Sequence, residues 1–329
     1  MTPRAFKKIN NQIFRIRTET SFPVGHTNVY FIADSQPTII DTGPNQESTV
    51  HSLQQGLEKI GYHFADIKRI LITHPHIDHF GLAARIQAES GAKIFAMGEA
   101  RHILSDILRE WEANDDYFIL FLTYCGVPKN KIEAFMSAGR DYAHYGCKIN
   151  VDVPLRDGQI IKFDDFTLTT IHTPGHTPFD VCFESPEQQV IFVGDTLRPR
   201  IAPNVLLARP RGESQNRPRI LLLHIETLRR LMSTHATLAL PGHGEPFDNP
   251  REAAEKTLRH HQRRSAEIFG TLNGQAKTPF EITRELFPSM PVFELFLGVS
   301  EVIGHLDALE EEGCVSQQFN DGQLYYVKS

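Results

Sequence analysis

The sequence predicts an α+β fold in which two sheets pack face to face with helices on their outer sides, and three observations carry that prediction. Residues 11–41 read as strands and turns, strand signals return between 159 and 193, and helical periodicity accompanies each of these halves. The pattern then changes after Leu272-Asn273-Gly274-Gln275, beyond which come helices and a single hairpin signal.

In the first half Gln12-Ile13-Phe14-Arg15-Ile16 alternates, Asn28-Val29-Tyr30-Phe31-Ile32 is an apolar run, and Thr38-Ile39-Ile40-Asp41 stops at a Thr-Gly-Pro break. A meander of antiparallel strands is expected there. Helical spacing over 48–60 precedes a buried-strand run at 67–73, a His-rich loop, and helical spacing again over 80–86. That order sets the His-rich loop at the carboxyl end of a strand. Residues 99–148 carry apolar and aromatic side chains at helical spacing, broken at Gly126 and Pro128, and are expected as an inserted group of helices. Strand signals follow at 159–163, 166–171, 181–184 and 190–193, then a Pro- and Arg-rich loop over 196–219. Residues 220–232 read as a helix, 237–240 as a strand and 251–269 as a long helix. The tail offers helices at 279–286 and 298–312, then two runs joined across Asn320-Asp321-Gly322, a hairpin-type turn. Helices followed by one small hairpin look like a winged helix.

Composition narrows the functional classes. A chain of 329 residues with 40% hydrophobic and 22% charged residues has enough apolar surface for a sizeable core, which excludes global disorder and collagen-like repeats. No apolar run approaches the roughly 18 residues a membrane span needs, and Met1 to Lys8 leads into no apolar signal core, so a soluble cytoplasmic protein with no membrane partner is expected. The net charge of −6 gives no global attraction to nucleic acid. Over 277–329, nine acids stand against three basic residues, a net −6 that equals the charge of the whole chain. A module that must neutralise phosphates would not be built so, and packing or homodimerisation rather than DNA reading is expected of it. Cys125, Cys147, Cys182 and Cys314 are scattered without a C-x-x-C pair, which argues for reduced thiols and against a thiolate metal site. The 16 histidines are the unusual count.

Their placement carries the chemistry. Thr73-His74-Pro75-His76-Ile77-Asp78-His79 offers four candidate metal ligands in six residues. In extended backbone, side chains at i and i+2 project to one side, so His74 and His76 can grip one ion while Asp78 and His79, at a helix start, turn toward a second. Downstream, His176 follows a Pro-Gly turn after a strand, Asp195 ends the run Val193-Gly194-Asp195, and His243 ends Leu240-Pro241-Gly242-His243. Strand ends on one rim of packed sheets converge although far apart in sequence. A carboxylate can bridge two ions, so seven N/O ligands give each of two metals three protein ligands plus a shared Asp, with room for water.

These motifs, His-x-His-x-Asp-His, Pro-Gly-His, Gly-Asp-Thr and Pro-Gly-His-Gly, resemble those of the metallo-β-lactamase superfamily, in particular its glyoxalase II-like hydrolases, over roughly residues 10–270. The resemblance implies a four-layer αββα sandwich with a dinuclear centre at the sheets' edge. It implies His74, His76 and His176 on a first metal, Asp78, His79 and His243 on a second, and Asp195 bridging, with Asp78 and Asp195 as the catalytic carboxylates. The flavodiiron relatives replace the second His of the first motif by Glu, so His76 points to hydrolysis rather than redox work. The tail is similar to a winged-helix extension on a branch that includes a lactamase-like endoribonuclease acting on single-stranded RNA. Glyoxalase II instead has a C-terminal helical region that binds glutathione, which puts hydroxyacylglutathione in question here.

The expected protein is therefore a catalytic domain over 1–270, with a helical insert at about 99–148, followed by a winged-helix-like domain over 277–329. Its expected reaction is hydrolysis of a small ester, thioester or lactone by a metal-bridging hydroxide. Cleavage of single-stranded RNA and a non-catalytic metal-binding regulator are the alternatives. Two divalent ions are expected, zinc by default for His/Asp ligands, with iron or manganese fitting the same set.

Asp41 resembles a superfamily position that supports a metal-binding His by accepting a hydrogen bond; the plainer reading is a turn cap. His172 is read as a packing residue, and His26 and His144 are left out of the site. Arg198, Arg200, Arg209, Arg211, Arg217 and Arg219, against Glu213, read equally as a clamp for an anionic substrate and as a solvated loop or subunit contact. Trp111, Tyr117, Phe118, Phe121, Tyr124, Phe135, Tyr142 and Tyr145 are expected to form the insert's own core, with an apolar lid as the alternative.

Overall fold

The computed structural model describes residues 5–329 apart from 141–142, 200–201, 213, 215 and 292–293. Of the positions singled out above, the first four residues, Tyr142, Arg200 and Glu213 lie outside it. Two large sheets form the centre. The first holds β1 (Phe6–Lys8), β2 (Ile13–Thr18), β3 (Thr27–Ile32), β4 (Thr38–Ile40), β5 (Arg69–Leu71), β6 (Lys93–Met97) and β7 (Val153–Leu155) in that spatial order. The second runs β8 (Ile160–Lys162), β9 (Thr167–His172), β10 (Val181–Ser185), β11 (Val190–Gly194), β12 (Leu238–Pro241) and β13 (Phe247–Asp248). The expected antiparallel meander holds through β4, after which β4, β5, β6 and β7 pair in parallel. Parallel pairing needs crossovers, and α1 (Glu47–Glu58), then α2 (Ile77–Phe80) and α3 (Ala83–Ser90), supply the first two. In the second sheet β11 pairs in parallel with β12, the two joined across α7 (Ile220–Leu231).

Alternation along the strands explains why whole strands are buried. In β10, Val181 and Phe183 face the first sheet's core, while Cys182 joins an outer cluster with Leu228 and Leu231 of α7 and Ala253 and Ala254 of α8 (Pro250–Thr271). β11 repeats this, with Val190 and Phe192 inward and Ile191 and Val193 outward. A strand apolar on both faces is covered on both faces, so the layers are helix, sheet, sheet and helix. On the far side, Leu53 and Leu57 of α1 pack on the first sheet.

The insert consists of α4 (Arg101–Ser105), α5 (Ile107–Tyr124) and α6 (Lys129–Arg140). After α8 come α9 (Pro279–Leu286), α10 (Leu295–Glu311) and the hairpin β14 (Val315–Asn320) and β15 (Gln323–Lys328). The hairpin turn is as expected, with Asp321 and Gly322 both at positive φ. Helix α9 starts on a capping box between Thr278 and Glu281, with Pro279 in its first turn. Helix α10 is buried on nearly every side, against α7, α8, α9 and β14.

One expectation is corrected here. Among the described residues the insert's apolar side chains form no separate core: Phe118, Leu122, Val127 and Ile132 share a cluster with Ile268, Ile282, Leu295, Val299, Val302 and Tyr326. The apolar face of α5 is closed by elements some 150–200 residues further along the chain, a partner that local periodicity does not reveal. Among the described residues, no helix is long and apolar enough to cross a membrane.

Candidate metal centre

All seven predicted ligands converge at one rim of the sandwich. His74 and His76 lie in the loop after β5, and Asp78 and His79 in the first turn of α2. His176 comes from the β9–β10 turn, and Asp195 and His243 follow β11 and β12. Backbone bonds between the sheets hold these ends together: Val181 N–H donates to the Thr73 carbonyl (2.9 Å), and Asn28 N–H to the Gly242 carbonyl (2.7 Å). Asn28 Nδ2 and Tyr30 Oη each donate to the Pro241 carbonyl at 2.8 Å.

Three groups of donor atoms result, each within 4.8 Å: His74, His76 and His176; His74, His79 and Asp195; and Asp78, His79 and His243. Asp195 lies between the outer two, with Oδ2 at 3.5 Å from His243 Nε2 and 4.0 Å from His176 Nε2, and Oδ1 at 3.7 Å from His79 Nε2. Asp78 Oδ2 stands 3.3 Å from His243 Nε2.

The outward nitrogens of four imidazoles are fixed by acceptors. His79 Nδ1 donates to Asp41 Oδ2 (2.8 Å), His176 Nδ1 to the Asn204 carbonyl (2.8 Å), and His243 Nδ1 to the His26 carbonyl (2.9 Å). Thr73 Oγ1 gives its proton to Asp41 Oδ2 (2.8 Å), so it accepts from His74 Nδ1 (2.9 Å). In its neutral form each ring then turns an Nε2 lone pair inward. His74 Nε2 and Asp195 Oδ1 are buried without any hydrogen-bond partner. Inward lone pairs and orphaned buried acceptors are what a cation satisfies, and imidazole with carboxylate is a donor set suited to zinc, iron or manganese.

The charge balance agrees. Burial pushes His74 well below its ordinary value and His76 to about 3, with neighbouring imidazoles acting the same way. At His79 burial is outweighed by Asp78, Asp41 and Asp195, which raise it to about 9. Burial opposes the charge on Asp195 too, but His243, Arg198 and His79 hold it well below the usual carboxylate range. The rim thus keeps neutral imidazoles on one side and calls for positive charge on the other.

Sequence reasoning did not find the carbonyls of His26 and Asn204, nor Asp180. The Asp180 carboxylate accepts from His176 N–H (2.8 Å), Thr177 N–H (2.7 Å) and Thr177 Oγ1 (2.6 Å), and so shapes the turn that presents His176; burial raises it to about 7. An Asp closing the turn just before an apolar strand was the available signal. Asp41 takes the supporting place proposed for it rather than a turn cap alone. His172 bonds the Pro178 carbonyl (3.0 Å), outside the cluster.

The arginine loop resolves differently from an open clamp. Arg209 and Arg211 both pair with Glu110 of α5, Arg217 with Asp307, and Arg219 with Glu310 and Glu311 of α10. The loop is tied to the insert and to the tail within the chain. Arg198 alone of the described loop arginines reaches the cluster, its Nη2 at 2.6 Å from Asp195 Oδ2.

Beside His76 and His176 opens a cavity of about 180 Å³, walled largely by apolar side chains of the insert, the 206–208 segment and α10. Residues 22–243 match the sequence model of the "Metallo-beta-lactamase superfamily". The chain is similar to the "Probable metallo-hydrolase YqjP" of Bacillus subtilis (strain 168), 28% identical over 315 residues that cover 95% of this chain and 97% of that one. An "Atrochrysone carboxyl ACP thioesterase" of Emericella nidulans is 30% identical over 120 residues, 36% of this chain and 35% of that one. Among solved structures, a metallo-beta-lactamase family protein from Thermus thermophilus superposes with a TM-score of 0.80 at 25% identity, covering 98% of this chain and 100% of that one.

Proposed function

The chain belongs to the metallo-β-lactamase superfamily and is an enzyme of its metallo-hydrolase kind, and from that premise we propose that it is a two-metal hydrolase of small esters, thioesters or lactones, thioesters first. The observation that carries this reading is the pair of three-residue donor groups on either side of Asp195, beside an apolar cavity. In it, His74, His76 and His176 would hold one ion and Asp78, His79 and His243 the other, with Asp195 placed between the two groups. When bound, two divalent ions supply Lewis acidity for the electrophile and a water acidic enough to attack at neutral pH.

The chain's own residues do the positioning. Asp41, the Thr73 hydroxyl and the carbonyls of Asn204 and His26 fix four tautomers and hold the orientation of those rings. Arg198 orients Asp195 through a charge-assisted bond. His74 and His79 are buried, which keeps bulk water from the inner side of the site. A thioester is favoured because the cavity next to His76 and His176 suits an acyl group, and because a relative carries a thioesterase name. RNA cleavage is disfavoured: four of the loop arginines that would meet phosphates are paired with carboxylates of the same chain.

The test is thiol release from a panel of acyl-coenzyme A and acylglutathione thioesters by metal-loaded protein, with Asp195→Ala as control. Metal-dependent release that the substitution abolishes supports the proposal. No release from any member with metal still bound removes the thioester assignment and moves lactones and single-stranded RNA forward.

A further inference from the structure

We infer that the cavity beside His76 and His176 is an acyl- or aryl-binding site whose depth is gauged by Phe296 of the C-terminal helix α10; this rests on the hydrolase reading above. Its apolar wall is Ile103, Ile107, Trp111 and Phe118 of the insert, Phe179 just past the His176 turn, and Phe296. Phe296 meets Phe118 edge to face at a centroid distance of 4.9 Å and stacks on Phe135 at 5.2 Å, so it is held in place from two sides. Ser300, one turn further along α10, accepts from the Leu207 N–H (3.3 Å) and fixes the facing segment to the same helix. The tail therefore supplies a wall of the cavity through Phe296, while its Asp307, Glu310 and Glu311 pair with Arg217 and Arg219 of the loop.

The polar side chains at the edge bond one another. Glu110 takes both Arg209 and Arg211, and Arg209 Nε also donates to Asn114 Oδ1 (3.1 Å). The rest of the lining is mainly apolar, so an apolar acyl or aryl group is the matching occupant. An apolar cavity of about 150 Å³ holds benzene, and on that scale about 180 Å³ holds one aromatic ring or a chain of about six carbons.

Trp111 is the only tryptophan in the chain and lines the cavity, so its fluorescence reports occupancy without catalysis. Metal-loaded protein is titrated with straight-chain primary amides of two to twelve carbons and with benzamide. The expected result is a Kd that falls about fourfold per methylene up to about six carbons and then stops improving. Phe296→Ala moves that break to longer chains, and the milder Phe296→Leu moves it less, while the wild-type series stands even if a variant fails to fold. In parallel, kcat/KM on acyl thioesters of the same lengths shows the same break. Absence of any Trp111 response, a Kd indifferent to length, or a break unmoved in folded Phe296→Ala overturns the inference. Amide binding with the break but no thiol release leaves the cavity assigned and removes the thioesterase reading. Thiol release that ignores acyl length, with Trp111 silent, does the reverse.

Discussion

His79 and His243 face each other across 3.2 Å between their Nε2 atoms, and each has its Nδ1 already committed, to Asp41 and to the His26 carbonyl. Two neutral rings in those tautomers would oppose lone pairs, so a positive charge belongs between or beside them. Asp41 thus supports the proposed centre through the bonds it accepts from His79 and Thr73.

Asp41→Asn tests this. Asp41 has φ 60, a left-handed conformation that Asn tolerates well, so the backbone is kept while the anionic acceptor is lost. Metal affinity should fall about 10–100-fold, measured by chelator competition, with the circular dichroism spectrum unchanged. Unaltered affinity would remove Asp41 from the account.

Gly242 lies where no side chain fits. A Cβ there would stand 2.6 Å from His79 Cε1 and 2.7 Å from Asp195 Oδ1, two groups that must not move. Gly242→Ala should lower metal affinity by about tenfold or more in a protein that still folds, since a misplaced ligand costs affinity before it costs the core. Full metal content in the purified variant would contradict the geometry.

Asp307 and Arg217 form a bidentate pair at 2.5 and 2.6 Å, with Asp307 only 1% exposed. Removing the carboxylate strands a largely buried guanidinium. Asp307→Ala should cost about 3–5 kcal/mol, read as a lowered midpoint in urea. A loss below about 1 kcal/mol would show that the pair is not needed to hold the loop on α10.

A chain of buried imidazoles links α7, α8 and α10: His224 Nδ1 lies 3.3 Å from His261 Nε2, and His305 Nδ1 bonds Ser265 Oγ. Burial lowers His261 to about 2, helped by His224, His305 and His260, and lowers His305 to about 3, helped by Arg264 and His260. The folded state then binds fewer protons than the unfolded one below the ordinary His value of about 6.5. Stability is full above that pH and is lost as pH falls through it. Tm should drop between pH 7 and 5, and His261→Gln should flatten the slope; an equal slope in the variant would show that other groups are responsible.

The strand-end candidate ligands were legible because each carries a side chain of distinctive chemistry beside a Gly or Pro that ends a strand, as at Pro174-Gly175-His176 and Pro241-Gly242-His243. What fixes those ligands was less so. The His26 and Asn204 carbonyls are acceptors that every residue possesses, and only the folded chain aims them. β1, β7 and β13, of two or three residues each, are made by their neighbours rather than by local composition, and the parallel strand β6 went unassigned although Ile94, Ala96 and Met97 are buried. The arginine loop misled for a related reason. Its partners, Glu110, Asp307, Glu310 and Glu311, are some 90–100 residues away, and charge counted along the chain does not show which carboxylate closes which guanidinium.

The most direct test of the two-metal account is metal content per chain in zinc-loaded wild type and in Asp195→Ala, with thiol release assayed on the same samples. The account predicts two ions per chain and metal-dependent release in the wild type, with both metal content and release reduced in Asp195→Ala. Release by metal-free protein, or unchanged metal content and release in Asp195→Ala, would contradict it.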